Sequence, residues 1–103
     1  MTVFSKRVSA SNDDAIENAS SGSINRTGSI EISSTYSHGG LRFQSVTIPK
    51  NATIDSAILT VYVSNDPVDI PNLYIYGQAA DNAGDFSATK NDISGRTKTT
   101  AKT

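Results

Sequence analysis

Residues 56–64 alternate with a period of two: Ala57, Leu59, Val61 and Val63 fall on one face, Ile58, Thr60 and Tyr62 on the other. Successive side chains of an extended chain point to opposite sides, so the alternation predicts a strand, and apolar residues on both faces suit a central strand better than an edge. That single segment sets the fold class. No crossover helices are on offer elsewhere, which excludes a parallel α/β fold and leaves short strands separated by turns, a sandwich or barrel.

The other segments fit the same scheme. Residues 3–9 are expected as a first strand, stopped by the turn-forming cluster Ser11, Asn12, Asp13 and Asp14. Residues 18–29 have almost no apolar content and are expected to form a flexible surface loop. Ile30 and Ile32 alternate with Glu31 and Ser33 in a half-buried strand that ends near Tyr36, and Ser37, His38, Gly39 and Gly40 follow as a turn. Leu41 and Phe43 keep that period, whereas Val46 and Ile48 are one residue out of step, so a β-bulge is expected near Gln44 and Ser45. Pro49 and Asn51 close the strand. After the strand at 56–64, residues 65–71 form a loop and residues 73–78 return as a hairpin partner, with Tyr74 and Tyr76 on one side. Ala79, Ala80, Ala83 and Phe86 could seat a short helical turn, but Gly77 and Gly84 make a long helix unfavourable. Residues 94–103 read as a Thr- and Lys-rich extended tail. The whole, residues 1–103, is expected to be one antiparallel β-sandwich module of about five or six strands, jelly-roll-like, and incomplete without further strands or a partner.

Composition limits what such a module can do. The apolar fraction is 36%, below the roughly 45–50% of an average domain, so the core must be thin. Nine Lys and Arg face ten Asp and Glu, and no strong field would gather nucleic acid or an anionic membrane. There are no cysteines, hence no disulfide, thiolate zinc site or cysteine nucleophile. No apolar run reaches the roughly 18 residues of a membrane span, and the first residues, from Met1 to Arg7, are not expected to act as an export signal.

Gly40-Leu41-Arg42-Phe43, then Val46-Thr47-Ile48-Pro49, then Ala52-Thr53-Ile54-Asp55-Ser56-Ala57 resemble β-sandwich modules of the DNRLRE and carbohydrate-binding-module type. The likeness extends to Ser11-Asn12-Asp13-Asp14-Ala15 with Glu17, to Ile75-Tyr76-Gly77, to Ala80-Asp81-Asn82-Ala83 with Phe86, and to Asn91, Ile93-Ser94 and Arg96-Thr97. It implies a module of secreted multidomain proteins, with related modules expected in virion proteins. Modules of this type usually continue past the Arg-Thr-x-Thr-Thr stretch with more strands, so the resemblance implies that further chain or a neighbouring subunit completes the sheet.

Candidate chemistry is sparse. His38 is the single histidine and sits in a Gly-rich turn, with no sequence signal for an orienting acid or nucleophile. Asp13, Asp14 and Glu17 are close enough in sequence to be candidate Ca²⁺ ligands, since that ion takes six to eight oxygens; alternatively, an aspartate caps a turn and Glu17 pairs with Arg42 as a structural ion pair. Apart from that Ca²⁺, no cofactor is expected. Tyr62, Tyr74 and Tyr76 lie on adjacent strands where they would form an aromatic platform for a sugar ring, or simply stabilise the sheet as cross-strand pairs. Asn-x-Ser/Thr triplets at Asn18, Asn25 and Asn51 matter only in a eukaryotic secretory setting. Together these point to a non-enzymatic structural or assembly module of a larger extracellular or virion complex, a phage or viral surface or fibre protein, whose partners are other protein subunits in a homo-oligomer. The alternative is a carbohydrate-binding module of a secreted enzyme or adhesin, with a glycan as ligand. Neither reading involves nucleic acid or membrane insertion.

Overall fold

A computed structural model describes residues 2–26, 28–62 and 72–103. Within them the chain is all-β, with two small antiparallel sheets and no helix. The first sheet holds β1 (Asp14–Asn18), β2 (Ile24–Asn25) and β3 (Tyr36–Leu41) in the order β2-β1-β3. The second pairs β4 (Tyr76–Gln78) with β5 (Lys98–Lys102).

β1 is the central strand, and Ala15, Ile16 and Glu17 are all buried. Its odd-numbered side chains share a face: Ala15 packs with Phe86 and Ile93, with Ile24 packed against that cluster. A tight hairpin leads into β2. The Asn18 carboxamide oxygen accepts from the Ser20 and Ser21 amides at 3.0 and 2.9 Å, and Gly22 turns the chain at φ 70°. This side-chain mimicry of a backbone turn is why a run of small polar residues closes a hairpin here. Residues 18–25 are therefore strand and turn where sequence reasoning placed a long loop; Thr27 of that loop lies outside the described residues.

β3 overturns another expectation. Ser37, His38, Gly39 and Gly40, expected as a turn, are the middle of the strand, while residues 30–35 are not strand. The glycines serve close packing: a Cβ on Gly40 would overlap the Phe86 ring, and one on Gly39 would meet Ile30 Cγ2 at 2.9 Å. β3 pairs with β1 in the register Asp14 to Leu41, Ala15 to Gly40, Ile16 to Gly39 and Glu17 to His38, slipping between Glu17 and Asn18.

Elsewhere the expected strands are shorter or absent. Residues 3–9 form no strand, and β3 stops at Leu41, so the bulge expected near Gln44 and Ser45 falls outside any ladder, although Ser45 adopts φ 52°. Residues 56–62 pair with no described strand, and Val63, Ser64 and the expected loop at 65–71 lie outside the described residues. The return strand is reduced to β4; the residues expected to seat a helical turn, Ala79, Ala80, Ala83 and Phe86, lie in bends and loop, and a hydrogen-bonded turn comes later, at residues 90–95. The tail, by contrast, carries β5. The ladder continues past β4 and β5 through mutual Ile75 and Thr103 hydrogen bonds at 2.9 and 3.1 Å.

The described core is small: Ala15, Ile16, Phe86 and Ile93 are its buried apolar residues. Many others remain in water, with Ile58 87%, Val61 65% and Tyr62 95% exposed. A cleft of about 1330 Å³ is lined by residues that include Leu41, Phe43, Leu59, Val61, Leu73 and Ile75.

Candidate functional site

Two carboxylates, Asp13 and Glu17, tie the first sheet to the segment that starts at Ala83, and a third, Asp92, braces that segment internally. The Asp13 side chain is fully buried. One oxygen accepts from Arg42 Nη1 at 2.6 Å and the other from the Gln44 carboxamide. Arg42 Nε donates in turn to the Ala83 carbonyl at 2.8 Å. The Gln44 and Arg42 hydrogen bonds hold the Asp13 carboxyl below its ordinary range, outweighing the opposite effect of burial.

Glu17 fastens the second point. Its Oε2 accepts the Ile93 and Ser94 amides at 3.0 and 2.8 Å. Burial alone would raise its pKa, but the Ser94 and Ile93 donors and the charge of His38 hold it below the usual value. Asp92 supplies the third point, accepting from the Ser87 amide at 2.7 Å and from Arg96 Nη2 at 3.0 Å. Here too burial pushes upward and the Ser87 and Arg96 donors prevail, lowering the pKa. Arg96 then donates to the Gly84 and Asp85 carbonyls at 2.8 and 2.6 Å while its guanidinium lies 4.5 Å from the Phe86 ring centroid. A planar fork with several donors can do all of this at once, which a lysine could not.

The expected pairing of Arg42 with Glu17 is corrected: Arg42 pairs with Asp13. Register is the reason. Leu41 lies opposite Asp14, which brings Arg42 beside Asp13, whereas Glu17 lies opposite His38. The three candidate Ca²⁺ ligands do not converge either. Alternation along the strand directs Asp13 and Glu17 to one face and Asp14 to the other, and among the described residues no group of three or more His, Asp or Glu is arranged to hold a metal ion. Asp14 Oδ1 is buried with no hydrogen-bond partner among the described residues.

His38 Nδ1 shares a 2.8 Å hydrogen bond with the Ser37 hydroxyl, its chain neighbour. That contact is local. The three candidate tyrosines divide into a pair and a single residue. Tyr74 and Tyr76 have ring centroids 6.4 Å apart, tilted by 54°, and Lys102 Nζ lies 4.1 Å from the Tyr74 centroid and 6.0 Å from that of Tyr76. Tyr62 joins no ring contact among the described residues. Sequence reasoning missed Gln44, Asp92, Arg96 and Lys102 as site residues. Lys102 is placed by the register of β5 on β4, which sets it opposite Tyr76 and which the polar tail does not signal. The roles of Gln44, Asp92 and Arg96 depend on loop geometry that has no periodic pattern.

No protein-family model matches the chain, and no match was found among curated proteins or solved structures.

Proposed function

We propose that the chain is a non-enzymatic structural module of a larger virion or extracellular assembly, of the phage or viral surface and fibre type. Its two small sheets belong to an antiparallel β-sandwich completed by other protein subunits, in the first instance further copies of the chain. The carrying observation is the surface left in water. The chain exposes 8293 Å², about half as much again as the roughly 5,600 Å² expected of a folded monomer of 10.9 kDa. The excess, about 2,700 Å², is more than the roughly 800 Å² each partner gives to a standard interface. Large apolar side chains such as Ile58, Val61 and Leu73 are among the exposed residues, and exposed apolar patches mark association surfaces.

Asp13, Glu17 and Asp92 are each committed to structural donors, and His38 to its neighbouring hydroxyl, which supports a role without catalysis. The location rests on the resemblance to secreted and virion β-sandwich modules. Sedimentation velocity tests the proposal: the chain should form discrete oligomers that grow with concentration, and Ile58→Ser with Val61→Ser should shift them toward monomer. A monodisperse monomer with a cooperative melt would overturn it.

A second reading is favoured by one specific observation, the Tyr74 and Tyr76 pair on a single face. Two exposed rings side by side suit a carbohydrate-binding module of a secreted enzyme or adhesin, because the C–H face of a pyranose stacks on aromatic surface.

A further inference from the structure

We propose that Tyr74, Tyr76 and Lys102 form a binding patch for a carboxylate-bearing saccharide, an oligomer of uronic acids; the inference rests on the carbohydrate-binding reading and narrows it.

The patch is built by the backbone. Residues two apart on an extended chain stand roughly 6.7 Å apart on one face, and the Tyr74 and Tyr76 centroids are separated by 6.4 Å. The two hydrogen bonds between Ile75 and Thr103 hold the intervening residue in the ladder, so the rings keep their spacing. Register then brings Lys102 opposite Tyr76. Its ammonium sits over the Tyr74 ring at 4.1 Å, attracted by the negative face of the ring. Tyr74 still exposes 67% of its surface with the ammonium in place, so aromatic area remains open beside a positioned charge.

Lys102 makes no ion pair among the described residues; the pairs there are Arg42 with Asp13 and Arg96 with Asp92. An ammonium carries three donors, and a ring face satisfies none of them as a carboxylate oxygen would. A ligand that combines an apolar ring face with a carboxylate matches both halves of the patch. Nucleic acid fits less well. Stacked bases come with a phosphate chain that needs a track of cations, whereas the other lysine of β5, Lys98, is engaged with the Ser94 carbonyl at 2.9 Å and the chain has net charge −1.

Calorimetric titration of the full chain with a panel of uronic acid trimers and their uncharged methyl esters tests this. At least one acid trimer should bind about tenfold more tightly than its ester, and its affinity should fall as salt rises. Lys102→Gln should erase that difference while leaving ester binding in place, and Tyr74→Ala should abolish both. Each substituted side chain is exposed, and an unchanged melting temperature would show that the fold survives. Equal affinity for acid and ester, or no effect of Lys102→Gln, would overturn the acidic preference and leave the carbohydrate reading standing. Binding of neither would remove both, and tighter binding of a thymidylate hexamer than of any trimer would replace the saccharide with a nucleic acid.

Discussion

At Gly40 the β3 backbone runs directly against the ring of Phe86, the largest side chain of the small core. Phe86 cannot retreat easily. Its amide donates to the Asn12 carbonyl at 2.9 Å, and the Arg96 guanidinium lies over its ring. Gly40→Ala should therefore act as an overpacking change costing about 1–3 kcal/mol, read as a lower melting temperature, whereas Gly84→Ala, with open space around it, should be near neutral. Equal melting temperatures for the two variants would sink this account of β3. The sequence signals a pair of glycines at 39 and 40 but not which of two uses they have. A glycine is equally suited to a turn and to a close approach between backbone and ring, and only the position of Phe86, 46 residues further on, decides.

At the scale of elements, β1 is held by carboxylates at both ends of its inner face. Glu17 binds the turn at Ile93 and Ser94, and its lowered pKa makes that contact sensitive to acid. The sign follows from the direction of the shift. A carboxyl whose pKa is lower in the folded state contributes stability at pH values above its unfolded value, about 4.3. That contribution is lost as pH falls through the folded value. Asp13 and Asp92 shift in the same direction, so all three contacts weaken together. The amide proton shifts of Ile93 and Ser94 should titrate together with a midpoint below about 4.3, and Glu17→Gln should remove that titration and lower the melting temperature by roughly 4–8 °C, the shift about 1 kcal/mol produces in a domain this size. An unperturbed titration at the ordinary carboxylate pKa would contradict the contact. Elements whose stability comes from such loop contacts are poorly legible from periodicity: β1 has no alternation, because Ala15, Ile16 and Glu17 are all buried. The return strand was legible only in part: Tyr74, Ile75 and Tyr76 carry the period-two pattern, but the strand is Tyr76–Gln78 and its partner is β5, not the stretch at 56–62. β5 itself was not legible, since Lys98, Thr99 and Thr100 have no apolar face to reveal it.

For the molecule as a whole, the class was legible and the arrangement was not. All-β character follows from local alternation, but pairing depends on which edges meet, and the most strand-like stretch, around Ile58 to Tyr62, is left exposed and unpaired among the described residues. With so few buried apolar side chains among the described residues, the chain gains little from the core they form. Its stability should then depend on association, since anything that binds the folded form and not the unfolded one raises the melting temperature by mass action. Calorimetric scans across a hundredfold range of protein concentration should show the midpoint rising with concentration. Urea titration at the dilute end should give a slope below about 1 kcal/mol/M, because the slope follows the surface exposed on unfolding and little is hidden to begin with. A midpoint independent of concentration, together with a slope in the ordinary range for a small domain, would mean that the cleft between Leu41 and Ile75 closes within a single chain, and the assembly reading would then fail.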